Sequence, residues 1–160
     1  VTEVLMRDHD MPAREAQEAA ALADGRVGEA LALSSTDMAV LRETALQLLR
    51  QSAAGHAAQS RIQAAGLLSG GTGKKERPRE EVSLVLRMMA SMLRDIELLN
   101  TGGDRQALAN GVVADELVPL TRPYGGPRAG EAFVSVDRAL AALERNAGTK
   151  VVSEWLTLHL

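Results

Sequence analysis

Apolar side chains along this chain recur every three or four residues, which is the spacing of α-helices. The clearest example runs from Arg79 to Asn100, where one apolar stripe is accompanied by apolar groups on other faces: Leu84, Met88, Met92 and Leu98. A helix that is apolar on more than one face is buried on more than one face. The pattern therefore predicts a long helix that lies either at the centre of its own bundle or against another chain.

Eight further segments are predicted to be helical. They are residues 2–8, 12–23, 27–34, 38–51, 57–68, 112–121, 131–146 and 149–159. Glycine and proline clusters end several of them, as at residues 101–103 and 123–127. Residues that favour strands are sparse, and aromatic residues make up only 2% of the chain. We therefore expect an all-α fold, a helical bundle preceded by a smaller helical unit, with a domain boundary near residue 35.

Length and composition narrow the class of protein. A chain of 160 residues suits one domain, or one domain and a fragment of another. It begins at Val1 within a predicted helix, so we expect it to be a piece of a longer protein. Cysteine is absent, which excludes disulfides and thiolate chemistry and fits a cytoplasmic location. No apolar run approaches the roughly 20 residues that cross a bilayer, so no membrane partner is expected.

Charge and aromatic content argue against nucleic-acid binding. The formal net charge is −3, and the aromatic residues are limited to Tyr124, Phe133 and Trp155. Proteins that bind nucleic acids usually present a basic surface, and those that bind single strands add stacking aromatics. We expect no direct nucleic-acid contact by this chain.

No segment carries the residues of a catalytic, cofactor or metal site. The loop over residues 69–75 is rich in glycine and lysine, but a phosphate-binding P-loop needs a glycine where Leu68 stands and a hydroxyl after Lys74. The histidines, at positions 9, 56 and 159, fall on separate elements without ligand spacing. We expect no catalytic residue, no cofactor, no metal and no small-molecule substrate, so the chain is not predicted to be an enzyme.

Three separated motifs follow one another along the chain. The first, Leu22 to Leu33, joins two alanine-rich helical pieces through Gly25 and Gly28. The second, Met92 to Leu99, contains Leu-Arg-Asp followed by further leucines. The third, Leu143 to Leu156, contains Asn-x-x-x-Lys before a leucine-containing helix. In order and rough spacing they resemble the clamp-loader subunits of bacterial DNA polymerase III, most closely those of the delta-prime type.

The resemblance implies a division of the chain and a role in assembly. Residues 1–35 would be the end of an AAA+ lid domain, and residues 36–160 a helical collar domain. Collars in that family pack together into a pentameric ring, so the expected partners are the other clamp-loader subunits in DNA replication. Hydrolysing relatives carry an arginine at the position of Gly28, so the parent protein is expected to belong to the polymerase holoenzyme without hydrolysing ATP itself.

Five side chains are predicted to contact neighbouring subunits: Met88, Met92, Arg94, Asp95 and Trp155. The alternative for the two methionines is the core of a central helix, and the alternative for Arg94 and Asp95 is a pair of solvated charges. Asn146 is predicted to turn the chain between the last two helices. Two other functions stay open, namely the collar of a gamma or tau ATPase subunit and a helical regulatory or ligand-binding domain.

Overall fold

The computed structural model of the protein describes residues 1–8, 11–22, 35–55, 58–70 and 76–160. Within those ranges the chain forms eight α-helices and no β-strand, which confirms the predicted all-α bundle. The helices are α1 (Thr2–Asp8), α2 (Ala13–Leu22), α3 (Ser35–Ala53), α4 (Ala58–Ser69), α5 (Arg79–Asn100), α6 (Ala114–Leu117), α7 (Arg128–Glu144) and α8 (Thr149–His159). None of these helices is long and apolar enough to cross a bilayer.

The helix bounds follow the apolar stripes closely. Helices α1, α5 and α8 begin and end at the predicted residues, and α2, α3, α4 and α7 begin and end within three residues of the prediction. The helix predicted over residues 27–34, together with Gly28, lies outside the described residues.

One predicted helix is replaced by a segment in three parts. Instead of a single α-helix over residues 112–121, the chain forms a 3₁₀ turn at Gly111–Val113, the short helix α6, and a second 3₁₀ turn at Val118–Leu120. Pro119 lies in the second turn and has no N–H to donate, so a regular α-helix cannot continue through it. The prediction of a single helix was therefore wrong in its backbone, although Val113, Leu117 and Leu120 of this segment are buried.

Helix α5 is the centre of the main bundle. It packs mainly against α7 and α3, while α8 packs against α4 and α7. The buried side chains of α5 lie on several faces: Val82, Val85, Leu86, Met88, Met89, Met92, Leu93, Asp95 and Ile96. The alternative of a central core helix is therefore confirmed.

A smaller apolar cluster joins α1 to α2. Leu5 is buried together with Ala16 and Ala19, and Met11 packs against them. Leu22, the last residue of α2, belongs instead to the main core. The N-terminal helices thus have a core of their own and one anchor in the larger bundle. The domain boundary between residues 35 and 36 stays a prediction.

Asn146 ends α7 in the manner expected of a turn residue. Its φ of 66° is in the left-handed region, and its N–H donates to the Leu143 carbonyl at 3.0 Å. The N–H of Ala147 donates to the Ala142 carbonyl at 3.0 Å, which completes a Schellman motif. The Asn146 amide oxygen also accepts a hydrogen bond from Arg79 at 3.1 Å. The predicted turn between the last two helices is confirmed.

The variants Asn146→Ala and Asn146→Gly are expected to differ in their free energy of unfolding. Both Asn146→Ala and Asn146→Gly remove the amide that contacts Arg79, but only glycine adopts the left-handed conformation without steric cost. We expect Asn146→Ala to be less stable than Asn146→Gly by about 1 kcal/mol. Urea unfolding followed by circular dichroism measures this difference. Equal stabilities would mean that the backbone at this position relaxes.

Candidate docking surfaces

The most exposed apolar side chains of the described residues gather on α4 and α8. Ile62 is 73% exposed on α4, while Val151 and Leu158 are 66% and 57% exposed on α8. Val151 and Leu158 are seven residues apart and therefore share one face of their helix. Helices α4 and α8 pack against each other, so these three exposed apolar side chains lie on neighbouring helices.

Ile62 and Leu158 line the same groove, which we call the α4–α8 groove. It has a volume of about 460 Å³, and its floor is formed by small residues of α4, Ala65 and Gly66. A Cβ placed on Gly66 would meet no atom within 4 Å, so the space above it is open. The groove is therefore a shallow surface depression rather than an enclosed cavity.

Charged side chains border the α4–α8 groove. Arg61 lies on α4, while Lys150 and Glu154 lie on α8. In the described part of the chain, the ion pairs within 4.0 Å are Arg7–Asp8, Arg77–Glu81 and Arg105–Asp115, so none of the three groove charges has an intramolecular partner. The rim thus carries two cations and one carboxylate that are available to another molecule.

Trp155 lies on α8 beside this surface. Its ring is half-buried and stacks on the ring of His159, with the centroids 4.3 Å apart. The Nδ1 atom of His159 lies 2.7 Å from the Trp155 carbonyl, and because a carbonyl only accepts, Nδ1 carries the proton. Trp155 was predicted as an interface residue, and the structure places it next to Val151, one helical turn away.

A second groove surrounds Phe133. It has a volume of about 470 Å³ and lies between α5, the segment over residues 104–113, and the start of α7. Phe133 is 41% exposed, whereas Val136 and Leu143 of the same helix are buried. Arg94 is exposed at the edge of this groove, with Glu97 one turn further along α5.

Asp95 lines the same groove, but its carboxylate is hydrogen-bonded to other residues of this chain. Its side chain is 2% exposed and accepts hydrogen bonds from the backbone N–H groups of Ala109 at 3.1 Å and Asn110 at 2.7 Å. The Asn110 amide adds a third at 2.8 Å and also donates to Ser91 at 2.9 Å. Asp95 therefore fastens residues 109–110 to α5, and the alternative of a solvated charge does not describe it.

Met88 and Met92 are in the core. They are 1% and 0% exposed, so their side chains fill the interior of this chain and offer no surface to a neighbour. The alternative weighed for them, the core of a central helix, describes their position. The five predicted interface residues thus fall in three places: the core, the Phe133 groove and the α8 surface.

Tyr124 is the largest fully buried side chain among the described residues. Its hydroxyl donates to the Leu49 carbonyl at 3.0 Å, and the guanidinium of Arg128 lies 5.4 Å from the centre of its ring. Burial raises the pKa of the Tyr124 phenol to about 12, although Arg128 and Ser52 act in the opposite direction. Tyr124 therefore connects the glycine- and proline-rich segment before α7, residues 123–127, to α3.

The α4–α8 groove was not predicted, because the predictions followed the apolar stripes of the helices. Ile62 lies outside the stripe of its helix, among Ser60, Arg61 and Gln63. An apolar residue surrounded by polar neighbours in a predicted helix is the signal that could have identified it.

The chemistry of the described residues offers no metal site, since no three His, Cys, Asp or Glu side chains among them lie close enough to share an ion. The chain matches no protein-family model, no curated protein and no solved structure.

Proposed function

We propose that this chain is the non-catalytic, C-terminal region of a bacterial clamp-loader subunit of the delta-prime type, and that it assembles with neighbouring subunits in the cytoplasm. The exposed apolar side chains of Ile62, Val151 and Leu158, on the neighbouring helices α4 and α8, carry the proposal. Burying such side chains against a partner is favourable by about 1.5–3 kcal/mol each. The parent protein would then support the loading of a sliding clamp by holding the clamp-loader subunits together, without catalysis of its own.

Two further observations support assembly over the other functions. The three motifs that resemble the family lie in the expected order, and the arginine of hydrolysing relatives is replaced by Gly28, which favours delta-prime over gamma or tau. The α4–α8 and Phe133 grooves are open to solvent, whereas a domain that stores an apolar ligand would enclose it. An open apolar surface suits a protein partner.

The buried positions of Met88 and Met92 determine which variants can test assembly. A charge at either position would unfold the bundle, because an unpaired charge in a core is strongly destabilising. A charge at an exposed apolar position leaves the fold intact and removes only contacts with a partner. Ile62 and Leu158 are therefore the informative sites.

The full-length parent protein is expected to co-purify with the other clamp-loader subunits as a pentamer. The double variant Ile62→Asp/Leu158→Asp is expected to weaken this assembly at least a hundredfold in Kd, since the two side chains contribute about 3 kcal/mol or more and each 1.4 kcal/mol is a factor of ten. Met6→Asp/Val40→Asp is the matched control, because it adds the same two charges at exposed apolar positions of other helices, 42% and 52% exposed.

Size-exclusion chromatography measures the assembly, and circular dichroism checks that each variant is folded. A wild-type protein that joins no pentamer would refute the proposed function. An Ile62→Asp/Leu158→Asp variant that assembles as well as the Met6→Asp/Val40→Asp control would refute the α4–α8 surface as the contact.

A further inference from the structure

The α4–α8 groove has the dimensions of a short helical segment. The residues that line it span Arg61 to Ser69 on α4 and Lys150 to Leu158 on α8. Eight residues of helix extend about 12 Å, so the groove is as long as roughly two helical turns. An amphipathic helix laid in a groove uses anchors at i, i+3 or i+4, and i+7, which also cover two turns.

The small residues of the floor suit such an occupant. Ala65 and Gly66 leave the centre of the groove low, while Ile62 and Leu158 rise at one end. Low side chains allow the apolar groups of another helix to approach the α4 backbone closely. Large aliphatic side chains of a bound helix can therefore fit above Ala65 and Gly66. Ile62 and Leu158 can contact further apolar side chains of that helix at one end of the groove.

The three charged side chains are arranged in a definite spatial order along the groove. Arg61 shares a small pocket with Thr157 and Leu160, so the start of α4 lies beside the end of α8, and the two helices run in opposite directions. Arg61 therefore lies at one end and Lys150 at the other. Glu154 lies between them, about 6 Å along α8 from Lys150. The order of charges is positive, negative, positive.

We propose that the α4–α8 groove binds two turns of an amphipathic helix from a neighbouring subunit, whose carboxylates lie about seven residues apart beside Arg61 and Lys150, with a basic residue between them beside Glu154. This inference rests on the proposed function and adds the chemistry of the partner. Because none of the three groove charges is in an ion pair with another described residue, pairing with the helix breaks no ion pair among those residues. Complementary charges would set the register and direction of the helix, while the apolar contacts supply most of the affinity.

Two synthetic peptides test the charge order. Both have the same helix-favouring backbone and the same leucine face; one carries Glu, Lys and Glu along its flank, and the other carries Lys, Glu and Lys. We expect the first peptide to bind the chain about tenfold more tightly, with the difference shrinking at 1 M salt, where the screening length falls to about 3 Å. Fluorescence anisotropy of labelled peptides gives both Kd values.

Variants of the chain separate groove charges from general electrostatics. Arg61→Glu/Lys150→Glu is expected to lose or invert the preference, whereas Arg122→Glu/Arg138→Glu makes the same change in net charge at exposed sites away from the groove and should keep it. Equal binding of the two peptides to the unmodified chain, or no binding of either, would overturn the inference.

The peptide and assembly experiments fail independently. If the pentamer forms but the peptides are not distinguished, the charge order is wrong and the proposed function stands. If the peptides are distinguished but the full-length protein joins no clamp loader, the proposed function is wrong, and the chemistry of the groove belongs to a different partner.

Discussion

Asp95→Ala is expected to lower the free energy of unfolding by about 3 kcal/mol or more, because it leaves buried donors without an acceptor. The backbone N–H groups of Ala109 and Asn110 and the Asn110 amide all donate to this carboxylate. The segment they belong to also forms one wall of the Phe133 groove, so the groove is expected to widen. For a chain of this size the loss corresponds to a fall in Tm of roughly 10 °C.

Asp115→Ala is the matched control for Asp95→Ala. The Asp115 side chain is 92% exposed and pairs with Arg105, an exposed ion pair of the kind that contributes about 0–1 kcal/mol. Urea unfolding compares the two variants, and hydrogen exchange of the Ala109 and Asn110 amides reports the local effect. If Asp95→Ala is no less stable than Asp115→Ala, the carboxylate does not hold the segment.

Tyr124→Ala is expected to cost about 4 kcal/mol, the usual range for removing a large buried aromatic ring. The ring is fully buried and its hydroxyl donates to the Leu49 carbonyl. Tyr124→Phe keeps the ring and removes only that hydrogen bond, so we expect a loss of about 1 kcal/mol. Denaturant unfolding of both variants separates packing from hydrogen bonding. Similar losses would mean that the ring contributes little.

The raised pKa of Tyr124 predicts a loss of stability at high pH. The phenol has a pKa of about 12 in the folded chain and of about 10 when unfolded, so the unfolded state releases its proton first. The contribution to stability is fully present below about pH 10 and is lost as the pH rises toward 12. Tyr124→Phe should lack this component. Since Tyr124 is the only tyrosine, phenolate absorbance follows its titration directly.

The helices and most of the core could be predicted because both depend on the same periodicity. The stripe of α5 predicted its bounds, and apolar groups on its other faces anticipated burial on several sides. Asn146 was predicted as a turn because few other residues tolerate a left-handed backbone. The break at Pro119 was not predicted, although a proline inside a helical segment is a sequence signal for such a break.

The candidate sites were predicted less well, because the charged and apolar residues of one helix do not determine which other segments of the chain pack against them. Arg94 and Asp95 are adjacent in the chain, yet one is exposed and the other accepts three hydrogen bonds from a segment about 15 residues away. Met88 and Met92 were expected at a partner surface and fill the core instead. These outcomes depend on neighbours that come from distant parts of the chain.

The spacing of apolar residues is a local property of the sequence. It was therefore sufficient to predict an all-α fold and the helix over residues 79–100, and the residue type predicted the turn at Asn146. The α4–α8 groove required the packing of α4 against α8, helices about 80 residues apart in the chain. That packing buries one face of each helix and leaves Ile62, Val151 and Leu158 in solvent. Which face is buried depends on the shape and volume of the neighbouring helices, and no spacing along a single helix contains that information.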